Sequence, residues 1–176
     1  RQTLLEEPSR VLKPKPLRDL CFGFLKGPLW LVAELETQDL IENFVGALAR
    51  KGGRITEIAL EDEINQLLEF QRVISSYEFR RSIADERINH GTQLSMVLRE
   101  GRLAQGNQVT NREYQKAIQE LISIKLALAQ FFLDIDILVM PSAKSTALAT
   151  LTETGDPIFN SAWTVSGNPA ITLPLF

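Results

Sequence analysis

Hydrophobic and polar positions follow two different periods along this chain, and the switches between them mark out its elements. In "RDLCFGFLKG", Leu20, Phe22 and Phe24 fall at every second position before Gly27-Pro28 breaks the run. That is the period of a buried strand closed by a turn. "ETQDLIENFVGALARKGG" changes to helical spacing, with Leu40, Ile41, Phe44, Val45 and Leu48 on one face. Thr37 is placed to cap its first turn, and Gly52-Gly53 stops it after Lys51. "RITEIAL" returns to period two, with Ile55, Glu57 and Ala59 alternating with Thr56, Ile58 and Leu60. Strand, helix and strand in this order predict a βαβ unit with parallel strands and a right-handed crossover.

The middle of the chain is helical. "EDEINQLLEFQRVISSYEFRRSIADERI" places Ile64, Leu67, Leu68 and Ile74 on one side and loads acidic residues into the first turn, where they meet the positive end of the helix dipole. "GTQLSMVLREGRLAQGNQV" reads as a shorter helix ending in a Gly-Asn loop. "TNREYQKAIQELISIKLALAQFFL" is the clearest element. Thr110 and Glu113 have capping-box spacing, and Ala117, Leu121, Ile124, Leu128 and Phe132 form its stripe. "DIDILVMP" reads as a short buried strand closed by Pro141, and Ile171 to Leu173 as the start of another. Residues 1–16, with Pro8, Pro14 and Pro16, favour extended backbone and read as a linker or covering strand. The expected architecture is α/β, with helix-rich layers on a mixed, partly parallel sheet, in a single domain over residues 17–176.

Composition narrows the function. Of 176 residues 44% are hydrophobic and 23% charged, and the net charge is −3. That balance speaks against a nucleic-acid or anionic-membrane partner, since both select clustered Lys and Arg. No apolar run reaches the length of a membrane span. One Cys and one His leave no disulfide framework and no Cys/His zinc cluster, so neither metal nor cofactor is expected. A lone Cys fits a reducing compartment, and the expected location is cytoplasmic. The start at Arg1, without Met, fits a piece of something longer.

The candidate chemistry within the chain is thin. Ser142 and Lys144 in "MPSAKST" are a possible nucleophile and base, but nothing in their spacing brings them into contact, and a polar loop is the better reading. His90 sits at a helix end and reads as a cap. Cys21 reads as a small core residue. Asp134 and Asp136 flank Ile135 in an acidic helix-to-strand connection that reads as solvated. Glu78, between Tyr77 and Phe79, either anchors a loop through backbone N–H groups or faces water. There is no Gly-rich phosphate loop and no nucleophile elbow.

The end of the chain is more specific. "DILVMP", a loop, and then "TGDPIFNSAWTVSGNPAITLP" resemble the C-terminal part of amidase signature family enzymes. The resemblance rests on Asp136, Leu138, Pro141, Gly155, Asp156, Pro157, Phe159, Asn160, Trp163, Thr164, Gly167, Pro169, Ala170, Thr172 and Pro174. Upstream, "LCFGFLKGPLW", "LIENFVGALARKGGRITEIAL" and "YEFRRSI" agree in order, so it covers the chain from about Leu17 onward. The family hydrolyses carboxamides through two serines in or just after a Gly/Ser-rich run and a lysine before it. No residue here matches them. The resemblance therefore implies no catalytic residue in this chain, which would carry scaffold and substrate-pocket wall and be inactive alone. The implied wall is Phe159, Asn160, Trp163 and Thr164, an aromatic surface beside a carboxamide that suits a small amide substrate. Phe159 and Trp163 also read as plain core. The alternative function is a non-catalytic α/β binding or scaffold domain derived from such an enzyme. A cut sheet would expose its edges, so self-association through them is expected.

Overall fold

The apolar run around Phe22 becomes β1 (Cys21–Leu25), the middle strand of a three-stranded parallel sheet in the order β2-β1-β3. The computed structural model describes residues 14–150 and 154–175. β2 (Arg54–Ile58) pairs with β1 from Cys21↔Arg54 to Leu25↔Ile58, and β3 (Ile137–Val139) pairs along the other side from Phe22↔Ile137 to Phe24↔Val139. A middle strand of a parallel sheet is covered on both faces, and Phe22 to Leu25 are all buried. Phe24 packs with Trp30, Ile41 and Val45 from α1 (Pro28–Val32) and α2 (Leu35–Arg50). Leu25 joins the larger core on the opposite side, built by α3 (Glu61–Ser82), α6 (Asn111–Phe131) and α7 (Ile158–Ser166). The fold is therefore α/β, with helical layers on both faces of a parallel sheet.

Most of the expected elements are present, and the differences have local causes. α2 starts at Leu35 with Glu34 at its N-cap, so Thr37 lies inside the first turn and caps nothing. The chain turns into α2 directly after α1, and Gln38 makes the join: its Nε2 donates to the carbonyls of Trp30 (2.9 Å) and Ala33 (3.0 Å). α3 carries Glu61, Asp62 and Glu63 in its first turn and buries Ile64, Leu67, Phe70, Ile74 and Tyr77. His90 is the residue that closes the short α4 (Ala84–Asn89), its backbone N–H donating to Glu86. Ile171–Leu173, expected as a strand, has no regular secondary structure and pairs with no strand among the described residues. Cys21, expected in the core, is half-buried at the first position of β1. Residues 1–13 of the expected linker lie outside the described residues.

The helix expected to stop at Gly106-Asn107 runs on to Gln108. A π-helical segment, Leu98–Leu103, leads into α5 (Ala104–Gln108). Gly106 is buried directly against the Ser76 carbonyl of α3, where a Cβ would overlap that oxygen. Glycine therefore serves here for close approach of two helices, not for a turn.

α6 opens as its sequence predicts. Thr110 Oγ1 accepts from the Glu113 N–H (3.2 Å), and Glu113 Oε2 accepts from the Thr110 N–H (2.7 Å). Thr110→Ala removes one half of this box and should lower stability by about 1 kcal/mol. Urea unfolding of the variant beside the parent measures it, and equal midpoints would show that the cap contributes nothing.

Asp136 was expected to be a solvated carboxylate, and it is exposed but engaged. Its Oδ2 accepts from the Cys21 N–H (2.9 Å), its own N–H donates to the Cys21 carbonyl (2.9 Å), and Lys15 Nζ lies 3.4 Å from Oδ1. The Cys21 N–H first, then Lys15, hold its carboxyl below the usual carboxylate range. A group depressed in the folded state adds stability above its unfolded pKa, about 3.9, and loses it as pH falls through the lower folded value. The stability gap between parent and Asp136→Asn should be constant near neutrality and close below about pH 4. Urea midpoints across that range test this, and a gap that does not change with pH would remove Asp136 from the acid response.

Candidate functional site

The three parallel strands end together at Leu25, Ile58 and Val139, and in open α/β sheets the crevice beyond such carboxyl ends is where ligands are held. Past β3 the chain passes through Met140 and the buried Pro141 into an exposed loop containing Ser142 and Lys144. This loop is tied down through its backbone. The Ser142 carbonyl accepts from Asn160 Nδ2 (3.1 Å), and the Lys144 carbonyl accepts from the Glu34 N–H (2.9 Å). Their carbonyls thus serve as anchors, in keeping with the polar-loop reading.

α7 carries all four expected wall residues, and its formation follows from the residues before it. Asp156 Oδ1 accepts from the Ile158 N–H (3.0 Å), and the Pro157 carbonyl takes the N–H groups of Asn160 (2.9 Å) and Ser161 (3.1 Å). Gly167 ends it at φ +75, the left-handed conformation that favours glycine. Sequence reading treated this stretch as a wall leading to a turn and missed the helix. The signal was present in Phe159, Ala162, Trp163 and Ser166, spaced by three and four, which are its buried residues.

The helix sorts the four candidates onto two sides. Phe159 is completely buried, and Trp163 is 8% exposed in the same core. Asn160 and Thr164, one turn apart, are exposed. Trp163 donates its indole N–H to Met140 Sδ at 2.8 Å, fastening α7 to the end of β3. Thr164 Oγ1 donates to the Asn160 carbonyl (2.9 Å), and Ser166 Oγ to that of Trp163 (3.1 Å). The polar face of α7, the loop it holds and the edge of Trp163 therefore lie together past the end of β3.

Lys26 was not singled out from the sequence, although a lysine inside "CFGFLKGPLW" is an interruption worth noticing. It follows β1 directly, with Nζ 2.8 Å from Glu42 and 3.7 Å from Glu57 and above the rings of Phe24 (5.0 Å) and Trp30 (5.3 Å). The hydrogen bond to Glu42 raises its pKa, so it stands charged beside the strand end. Glu78, by contrast, anchors no loop: its Oε1 accepts from the Tyr114 hydroxyl (2.9 Å), whose titration this moves upward, and Tyr114 stacks on Tyr77 at 4.3 Å. Glu78 is exposed, as the second of its two readings has it, and joins α3 to α6 at the surface of the helical layer.

Two surface depressions lie elsewhere. One of about 390 Å³ runs between α3 and α6 along Glu69, Arg72, Glu113 and Lys116. The other, about 530 Å³, sits at the opposite end of the sheet beside Arg54, Asp134 and Asp136. None of the four candidates lines either. Among the described residues no group of three or more His, Cys, Asp or Glu side chains is placed to hold a metal ion, and no helix is long and apolar enough to cross a membrane.

Neither a scan against protein-family models nor a search of curated proteins gives a match. Among solved structures, a crystal structure of an amidase superposes on 87% of this chain with a TM-score of 0.72 and 20% sequence identity. The fold is amidase-like. The superposed part amounts to 37% of that amidase's own chain, so this chain spans well under half the length of the structure it matches. α7 and the loop after β3 lie at the carboxyl end of this sheet.

Proposed function

We propose that this chain supplies scaffold and part of the substrate-pocket wall of an amidase-type hydrolase of carbon–nitrogen (carboxamide) bonds, and that it does not turn over substrate alone. The observation that carries the reading is the gathering of Asn160, Thr164 and the edge of Trp163 past the strand ends of an amidase-like fold. In this reading Asn160 holds the Ser142 loop and offers its exposed carboxamide to a small amide substrate, and Thr164 lies one turn further along the same face. Trp163 gives the pocket an apolar side, and Phe159 supports it from beneath. The nucleophile and lysine would come from residues outside this sequence.

The test begins by sequencing the source gene upstream of Arg1. A Gly/Ser-rich run preceded by a lysine is the expected result. The encoded polypeptide should then release ammonia from small carboxamides while the isolated chain does not. Asn160→Ala within it should raise KM more than it lowers kcat. A start codon close to Arg1 would overturn the hydrolase reading and leave the scaffold domain. The backbone roles of Ser142 and Lys144, which tie α7 and α2 to the loop, already favour that second reading over a self-sufficient Ser-Lys hydrolase. Unchanged behaviour of Lys144→Ala would eliminate the latter.

A further inference from the structure

The contact that fastens α7 to the end of β3 runs through sulfur. Trp163 donates its indole N–H to Met140 Sδ at 2.8 Å, and a thioether is a weak acceptor. Met140 is half-buried, packed against the core that holds Phe159 and Trp163. A thioether sulfur has two lone pairs; the indole engages one, and the other remains for reaction. Just past it, the Ser142 carbonyl accepts from Asn160 Nδ2 at 3.1 Å. Two ties, one at Met140 and one two residues further on, thus hold the same helix to the same short segment. The chain has two methionines. The other, Met96, is 61% exposed and belongs to neither buried cluster.

We infer that Met140 is an oxidation site, at which a peroxide forms the sulfoxide and so shifts α7 away from the end of β3. The sulfur lone pair attacks one peroxide oxygen, forming an S–O bond as the O–O bond breaks. The departing hydroxide takes up the remaining hydroxyl proton and leaves as water, so sulfur loses two electrons and the peroxide gains them. The product is polar where the thioether was apolar. Its oxygen, set in a half-buried position, requires a donor, and the indole N–H is the one beside it. The hydrogen bond then passes through the added oxygen, and Trp163 stands further from the sulfur than before. The Asn160–Ser142 bond, already 3.1 Å long, does not survive that displacement, and the Ser142 loop is released from α7. A reductase that draws on a dithiol restores the thioether, the dithiol becoming a disulfide and the oxygen leaving as water. The inference concerns where α7 sits and does not depend on the carboxamide reading.

Hydrogen peroxide titration of the isotope-labelled chain tests this, followed by peptide mass spectrometry and by the two indole N–H resonances, which Trp30→Phe assigns. At a dose that leaves the circular dichroism spectrum unchanged, Met140 should gain one oxygen atom. The Trp163 resonance should shift with it, and the Asn160 carboxamide resonances should move toward their free positions. Treatment with methionine sulfoxide reductase and a dithiol should reverse all three changes. Met140→Leu, close in volume, should oxidise only at Met96 and keep its Trp163 resonance fixed, whereas Met96→Leu should respond as the parent does. A Met140 that stays reduced until the chain unfolds, a sulfoxide that leaves the Trp163 resonance in place, or a peroxide shift that persists in Met140→Leu would each overturn the inference.

Discussion

Phe159→Ala should lower the free energy of unfolding by about 3–5 kcal/mol, the range for a fully buried phenylalanine whose cavity cannot collapse. Phe159 is completely enclosed in the core shared by α3, α6 and α7. Its neighbours there, Ile64, Leu67 and Leu128, belong to helices already fixed by their own packing, so little can move in to fill the space. Because α7 is nine residues long, too short to persist unaided, its position depends on this contact. The same variant should therefore loosen the Trp163–Met140 contact and shift indole fluorescence before global unfolding. Urea unfolding followed by circular dichroism and by fluorescence measures both effects. A loss under about 1 kcal/mol would show that α7 is not anchored by its buried face. Asn160→Ala, on the exposed side of the same helix, should change stability by no more than the roughly 0.5–1.5 kcal/mol of one hydrogen bond.

Gly106→Ala and Gly101→Ala, five residues apart in one helical stretch, should have opposite signs. At Gly106 a Cβ would overlap the backbone oxygen of Ser76 and crowd Arg80. Backbone cannot swing aside as a side chain can, so α3 and α5 must separate, at about 1–3 kcal/mol for overpacking. At Gly101 nothing lies within 4 Å of the new methyl group. There alanine only removes freedom from the unfolded chain, so stability should rise by about 0.5–1 kcal/mol. Parallel thermal or urea denaturation of the two variants decides the matter, and a stable Gly106→Ala protein would mean that the two helices do not meet as described.

Element types were legible in the sequence wherever one side of an element is buried and the other is not. The stripe and capping box of α6 are of this kind, whereas β1, buried on both faces, was legible from the apolar run that Gly27-Pro28 breaks. What was not legible depended on neighbours distant in sequence. Thr37 looks like a cap until Gln38 is seen holding the end of α1, and Gly106 looks like a stop until Ser76 lies against it. The four candidate residues lie on a helix rather than on a wall leading into a turn. "IFNSAWTVS" is short and lies between Gly155-Asp156-Pro157 and Gly167, so turn residues outweighed a helical spacing of only two turns. Reading it as a helix separates Phe159 and Trp163 from Asn160 and Thr164 without any structure. Lys26 was passed over because its partners, Glu42 and Glu57, come from two other elements.

β1 is joined on one side to a strand that begins 33 residues after it and on the other to a strand 115 residues along the chain, as Cys21↔Arg54 and Phe22↔Ile137 record. On the ribosome these two pairings cannot close together. At about 5–20 residues per second, the 79 residues from Ile58 to Ile137 (137 − 58) take on the order of 4–16 s to make. Through that interval the apolar strand at the centre of the finished sheet has one completed side and one open side. Its vulnerability in the cell is therefore set by translation speed, and slow synthesis between residues 58 and 137 should lower the yield of folded protein more than slow synthesis anywhere after them.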